Sequence, residues 1–278
     1  MAFKKTEAIV IKTVNLREAD RIITFFSRDY GKMQGVAKGV RKIKARHGGK
    51  LELFTRVNVI FFQKLETMQS NGFHGPHPLL PITQVDVVES FVRLKTDFNR
   101  IVGASYIAEF LNRIFEEYDN THKGVYPLVC ETFQTLSIAE NIRNILPAFE
   151  VKLLTHLGYT PILDHCAACK QPLQPSSQNQ QNADRMATLL GFSSATGGVL
   201  CQRCRPLKKD NLPVSWPTIY LLRQFLATDM RQIPMLTMSK DGHQQIKTLL
   251  TNYFQYHVGI NLKTETFVQK LHAAKLNP

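Results

Sequence analysis

Four of the five cysteines in this chain form two pairs with the spacing C-x-x-C. A tight turn within each pair lets two sulfurs face one ion, and two pairs complete a tetrahedral all-sulfur shell that suits Zn²⁺. Because such a shell leaves no position open for water, we predict one structural zinc ion and not a catalytic one. The predicted ligands are Cys166, Cys169, Cys201 and Cys204.

Two other interpretations of the cysteine pairs remain open: four reduced thiols without metal, or a redox-active dithiol. The segment between the pairs, residues 170–200, is longer than the roughly 12–20 residues usual for such sites. A polar stretch at 174–182, rich in Gln, Ser and Asn, accounts for much of the excess. We predict that His156 and His165 are not ligands, since four cysteines already complete the shell.

A strongly basic segment lies at residues 32–50, which include seven Lys or Arg side chains and no Asp or Glu. Because unopposed cations repel one another, this segment favours a polyanionic partner. Flexible cations bind phosphates without reading sequence. A solvated loop that only aids solubility is the alternative. The residues predicted to contact the phosphates of that partner are Lys32, Lys38, Arg41, Lys42, Lys44 and Arg46.

The composition of the 278-residue chain agrees with that interpretation. There are 35 Lys and Arg residues against 22 Asp and Glu, a formal net charge of +13. No apolar run approaches the roughly 20 residues that span a bilayer. The early apolar run at residues 9–11 is too short for a signal peptide. We therefore expect a cytoplasmic protein without a membrane partner.

The first 80 residues are rich in β-branched and aromatic residues in short runs between turn signals. Five such runs favour a small barrel or sandwich, and we prefer a five-stranded OB-type barrel. The predicted strands are 7–14, 21–27, 31–38, 54–62 and 65–73.

Beyond the prolines at 76 and 78, apolar residues recur at intervals of three and four, which indicates helices. The predicted helices are 88–118, 125–139, 142–157, 216–230 and 244–256. The fold class is therefore α+β and multidomain, with an OB-fold barrel followed by a helical domain that has a four-cysteine zinc-binding insertion. The predicted domains are 1–80 (barrel), 81–160 (helical), 161–210 (zinc segment) and 211–278 (helical).

Over nearly its whole length the chain resembles the RecO family of DNA repair and recombination mediators. The resemblance rests on several stretches together, and each alone would be weak. They are EAIVIK at 7–12, EAD at 18–20, GVAKGVRK at 35–42, LELF at 51–54, YIAEFL at 106–111, FEVKLL at 149–154 and LGYTP at 157–161. The two cysteine pairs follow where the family's zinc motif lies.

The resemblance implies an OB-fold, a helical domain and a zinc site. It also implies binding of single- and double-stranded DNA, strand annealing, and loading of recombinase with RecR onto strands coated with single-strand-binding protein. It places DNA contacts on the basic segment and the acidic tail of the coating protein on the helical domain, in a bacterial, nucleoid-associated setting. Arg143 and Lys152 are the candidates for that tail, and the alternative is that both are ordinary solvated helix charges.

The sequence does not favour an enzyme. It has no G-x-x-x-x-G-K-[ST], no H-E-x-x-H and no G-x-S-x-G motif. A nuclease would need clustered carboxylates, and Glu7, Glu18, Asp20 and Asp29 lack metal-binding spacing. The main alternative is a zinc-containing, sequence-specific transcription or RNA-binding factor.

Overall fold

A computed structural model describes residues 2–42, 48–63, 79–173 and 190–260. The described residues divide into two compact units, 2–138 and 139–260. None of the helices in these ranges is both long and apolar enough to cross a membrane.

The first unit begins with a closed five-stranded barrel. Its strands are β1 (Ala2–Leu16), β2 (Asp20–Ser27), β3 (Gly31–Ala37), β4 (Arg56–Gln63) and β5 (Leu80–Glu89). They are hydrogen-bonded in the order β1-β2-β3-β5-β4, and β4 pairs back onto β1. Every pair is antiparallel except β3 with β5, which is parallel. This confirms the predicted OB-type barrel.

The alternation of side chains along the strands explains the barrel core. Val10, Phe25, Met33, Val59 and Phe61 point inward, and all are at most 1% exposed. Burying each of these side chains contributes about 1.5–3 kcal/mol. β1 pairs with β4 through residues 2–9 and with β2 through residues 8–16, and its register with β2 shifts between residues 10 and 12.

The closing strand of the barrel does not lie where the sequence suggested. Residues 65–73, predicted as the fifth strand, lie outside the described residues, and the strand that closes the barrel is β5. Pro81 lies within β5, but β5 meets β3 through only two residue pairs, so a missing N–H is tolerated there. The barrel thus extends past the boundary predicted at residue 80. The division at 160 and 210 stays a prediction.

The helices of the first unit are α1 (Val92–Thr96), α2 (Phe98–Ile114) and α3 (Val125–Ile138). The prediction of a single helix over 88–118 is therefore wrong, because the helical conformation is interrupted at Asp97. This residue is extended, and its carboxylate accepts a hydrogen bond from the Arg100 N–H at 2.9 Å, which begins α2. The apolar spacing continues across the break, so periodicity alone did not reveal it.

A partly buried carboxylate holds α3 against the barrel. Glu7 on β1 accepts hydrogen bonds from Arg56 Nε at 2.7 Å and from the Tyr126 hydroxyl of α3 at 2.9 Å. Arg28 completes the group at 2.9 Å. Burial raises the pKa of Glu7, but the hydrogen bonds from Arg56 and Tyr126 outweigh it, so the pKa lies below the usual value.

Replacing Glu7 by glutamine should destabilise the first unit by about 2–3 kcal/mol at pH 7, since two arginines lose their counter-charge. A carboxylate with a lowered pKa stabilises the fold above its unfolded pKa, near 4.5, and this contribution disappears as pH falls. The difference between wild type and E7Q should therefore shrink in urea denaturation repeated from pH 7 down to pH 3. A pH-independent difference would contradict the assignment. E52Q, at an exposed pair with Lys95, should change stability by less than about 1 kcal/mol.

The second unit combines three helices with a small sheet. The helices are α4 (Ile145–His156), α5 (Trp216–Ala227) and α6 (Lys240–His257), and the strands are β6 (Leu190–Ser193), β7 (Gly198–Leu200) and β8 (Asn211–Val214). β6 lies between β7 and β8. All three helices were predicted within a few residues at each end. The sheet was not predicted, because strands of three or four residues give little periodic signal.

Candidate metal centre and nucleic-acid interface

The four predicted cysteine ligands converge in the second unit. Their sulfur atoms all lie within 4.8 Å of one another, and Cys169 Sγ lies 3.8 Å from Cys201 Sγ. Four sulfurs at about 2.3 Å from a zinc ion would be about 3.8 Å apart in a tetrahedron. The cluster therefore has the dimensions of a metal site and could hold one ion.

Each C-x-x-C pair lies on a tight turn. In the first, the Lys170 N–H donates to the Cys166 carbonyl, and the Cys166 N–H donates to the Gln171 carbonyl, both at 2.8 Å. Lys170 takes a positive φ of 64° to close this turn. In the second, the N–H groups of Cys204 and Arg205 donate to the Cys201 carbonyl at 3.1 and 2.9 Å.

β7 joins the two turns. The Ala167 N–H donates to the Val199 carbonyl at 2.8 Å, and the Cys201 N–H donates to Cys166 Sγ at 3.4 Å. A side chain at Gly198 would place its Cβ 2.3 Å from the Ile162 carbonyl oxygen, so only glycine permits this close approach. Backbone hydrogen bonds and this close approach thus bring all four sulfurs together.

Hydrogen bonds also shift the pKa values of two of the thiols. Burial raises the pKa of Cys166, but N–H groups of Cys169, Cys201 and Ala168 directed at its sulfur dominate and bring the pKa to about 6. A hydrogen bond with the Cys201 side chain raises the pKa of Cys204 to about 12. One thiol is therefore ready to bind a cation at neutral pH, whereas the last must release its proton to the incoming metal.

The histidines near the cysteines do not belong to the cluster. His165 Nδ1 lies 2.8 Å from a carboxylate oxygen of Asp164, and His156 is in the last turn of α4. In the described part of the chain, these four cysteines are the one group of three or more metal-binding side chains. Cys130, the fifth cysteine, lies in α3 of the first unit, where burial raises its pKa.

The basic segment begins as a loop held against the β1–β2 turn. The Arg41 N–H donates to the Ala19 carbonyl at 3.0 Å, and its guanidinium donates to the Arg17 carbonyl at 3.2 Å. The Gly39 N–H donates to Asp20 Oδ1 at 2.7 Å. These bonds bring cations from two parts of the sequence to one end of the barrel. We call Arg17, Arg21, Lys38, Arg41 and Lys42 the basic surface.

Three of the predicted DNA contacts, Lys38, Arg41 and Lys42, lie on the basic surface with exposed side chains. Lys44 and Arg46 lie outside the described residues. Sequence reasoning missed Arg17 and Arg21, although their position beside the first hairpin turn was a usable signal, since OB folds bind ligands with loops of this kind.

Lys32 is placed differently from the other cations, although it was predicted with them. Its ammonium donates to the Asn112 carbonyl at 2.8 Å. Burial lowers its pKa, and Glu117 and Glu116 oppose that effect. Lys32 lies on the outer face of β3 and does not join the basic surface, because the chain after α2 covers that face.

The chain after α2 packs closely against β2 and β3. The Phe26 and Phe115 rings pack with centroids 5.2 Å apart, and the Tyr118 N–H donates to the Lys32 carbonyl at 2.8 Å. Gly31, with φ of 63°, lies so close to the Asp119 carbonyl that a Cβ would be 1.8 Å from its oxygen. The protein itself therefore covers this end of β2 and β3.

The two predicted partner contacts lie in the second unit. Arg143 is exposed just before α4. Lys152 is in the third turn of α4, and its ammonium donates to the Leu226 carbonyl of α5 at 3.2 Å.

Comparison with known proteins agrees with the fold and the site. Residues 1–71 match the family described as recombination protein O N terminal, and residues 95–266 match recombination protein O C terminal. The chain belongs to the RecO family. Membership of this family indicates a role in DNA repair and recombination. The four-cysteine cluster is consistent with metal binding.

Relatives match over most of their length. A DNA repair protein RecO from Caldanaerobacter subterraneus subsp. tengcongensis is 29% identical over 273 residues, which cover 98% of this chain and 99% of the relative. The RecO protein of a Roseiflexus species is 31% identical over 252 residues, covering 91% and 80%. That of Halalkalibacterium halodurans is 27% identical over 271 residues, covering 98% and 96%.

Proposed function

We propose that this chain is a non-enzymatic repair mediator that binds single- and double-stranded DNA, anneals complementary strands and, with RecR, helps to load recombinase onto coated strands. The observation that carries the proposal is the basic surface, where the β1–β2 turn and the loop after β3 bring five cations together. Family membership supports the repair role.

Annealing requires two polyanions to approach each other, and a cationic surface lowers their repulsion. Because the cations reach backbone phosphates, the contact is independent of base sequence. No nucleotide needs to be hydrolysed. Asp20 is positioned to orient the loop rather than to compete for phosphate, since it accepts the Gly39 N–H.

The metal we propose is Zn²⁺, held by Cys166, Cys169, Cys201 and Cys204. Four sulfur ligands at these separations select a soft, tetrahedral ion. Its role is to cross-link the two turns and so to stabilise a sheet too small to be stable alone. All four positions are protein ligands, which leaves none for a reacting water.

Partner binding is proposed for the second unit. A terminal carboxylate of single-strand-binding protein is proposed to bind Arg143, which is exposed. Lys152 is a weaker candidate, because its ammonium already donates to Leu226. RecR and recombinase loading follow from the family resemblance, as does action at the nucleoid in a bacterial cytoplasm.

The two other functional classes have less support. A sequence-specific factor needs side chains that read base edges, whereas the basic surface offers Lys and Arg from the β1–β2 turn, the start of β2 and the loop after β3, which suit phosphates. A nuclease needs free, clustered carboxylates. Glu7 is bound to Arg56, Asp20 to Gly39 and Asp29 to the Thr6 hydroxyl at 2.6 Å.

Mixing complementary labelled strands with the protein in Mg²⁺ tests the proposal. Duplex should form at least tenfold faster than without protein, with no shortened product and equal acceleration for unrelated sequences. Acceleration confined to one sequence would favour the sequence-specific factor, and Mg²⁺-dependent cleavage would favour the nuclease. Adding single-strand-binding protein with and without its acidic tail tests the partner contact.

A further inference from the structure

Two phenylalanines form a paired aromatic surface at the start of the barrel, away from the basic surface. Phe3 on β1 is directly opposite Phe62 on β4, and their rings meet edge to face with centroids 5.5 Å apart. Phe3 is 69% exposed, and Phe62 is partly buried. The edge-to-face contact fixes the orientation of the Phe3 ring while most of its surface stays in solvent.

The other aromatic rings of the described barrel strands have packing partners that account for them. Phe25 and Phe61 are in the core, and Phe26 packs on Phe115. The chain after α2 packs on Phe26 and Lys32, so it covers part of the face of β2 and β3 on which an OB barrel ordinarily binds a strand. Among the described barrel strands, a base can therefore reach an aromatic ring at the Phe3–Phe62 pair.

The charges around this pair suit a polyanion. Lys4 and Lys5 follow Phe3, and Lys5 is exposed on the same face of β1, two residues along. The next outward residue, Glu7, is matched by Arg28 and Arg56 and adds no unopposed negative charge. Sites that bind single strands combine an aromatic ring for the bases with cations for the phosphates in this way.

We propose that Phe3, braced by Phe62, is a stacking platform for unpaired bases of single-stranded nucleic acid, with Lys5 contacting the adjoining phosphate. The inference rests on the proposed DNA binding and adds to it a preference for single strands over duplex. Duplex bases are stacked on each other and do not reach the ring, so the platform favours single strands. Stacking reads no sequence, because every base has a π-face.

The test compares F3A and F62A with wild type in binding to an oligothymidylate and to a duplex of equal length. Each substitution should weaken single-strand binding roughly fivefold to a hundredfold, leave duplex binding unchanged and leave the salt slope unchanged. F98A, which removes an exposed phenylalanine from α2, is the matched control and should bind as wild type does.

A variant with a fluorescent reporter on the platform tests the same proposal without F62A, so a folding defect in F62A does not affect the result. Trp216 is the single tryptophan of the chain, so F3W in a W216F background places one reporter on the platform. Its emission should be quenched when oligothymidylate binds and unaffected by duplex. Absence of quenching on a strand that binds, or equal loss of single-strand and duplex affinity in F3A, would overturn the inference. Failure of the wild type to bind any DNA would instead overturn the proposed function.

Discussion

Replacing Cys166 by serine should remove the metal and unfold the segment around residues 162–214, while the barrel of the first unit stays folded. Structural zinc contributes about 10–16 kcal/mol in small domains, which is as large as the roughly 5–15 kcal/mol that stabilises most whole proteins. The sheet of β6, β7 and β8 has strands of three or four residues and buries too little to replace that contribution.

Three measurements check this effect. Elemental analysis after dialysis should give one zinc per wild-type chain and close to none in C166S. Limited proteolysis should cleave the variant rapidly between 162 and 214, and thermal unfolding should show loss of the transition of the second unit. C130S, which changes the cysteine outside the cluster, should keep one zinc. A wild-type chain without metal, or a C166S variant with full zinc and unchanged unfolding, would contradict the account.

Reversing three charges of the basic surface, as K38E/R41E/K42E, should weaken single-strand binding at least a hundredfold at about 50 mM salt. If wild type neutralises about five phosphates, each contact contributes nearly tenfold at this ionic strength through released counterions, and the new carboxylates add repulsion. The slope of log affinity against log salt should fall from about −3.5 to about −1.4.

The matched control is R93E/K123E/K240E, which makes the same change in net charge at exposed cations outside the basic surface. It should reduce affinity by less than tenfold and keep the slope near the wild-type value. Fluorescence anisotropy over a range of salt concentrations measures both quantities. Equal effects of the two triple variants would mean that net charge, and not this surface, determines binding. Circular dichroism establishes that both variants keep the fold.

The sequence predicted those features that depend on local spacing. The two C-x-x-C pairs identified all four clustered sulfurs, because a turn of this length fixes where its sulfurs point. β-branched alternation placed β2 to β4 within two residues at each end, since each strand has one face in the core, but it placed the start of β1 five residues too late. Gly158, just after α4, adopts the positive φ expected of a helix C-terminal glycine.

Features that depend on distant partners were not predictable in this way. Lys32 looked like the other cations of its segment, but it finds its acceptor 80 residues away at Asn112. Arg17 joins Arg41 only because the loop after β3 bonds to the β1–β2 turn. β5 contains Pro81 and an apolar end that suggested a helix, and its identity as a strand depends on pairing with β4.

The most direct test of the central claim is the salt dependence of oligonucleotide binding by the purified wild-type protein. The account predicts tight binding of unrelated single strands at 50 mM salt and a roughly hundredfold loss of affinity by 200 mM. Failure to bind any strand at low salt, or an affinity that does not change with salt, would contradict the claim that cations on the barrel hold the DNA backbone.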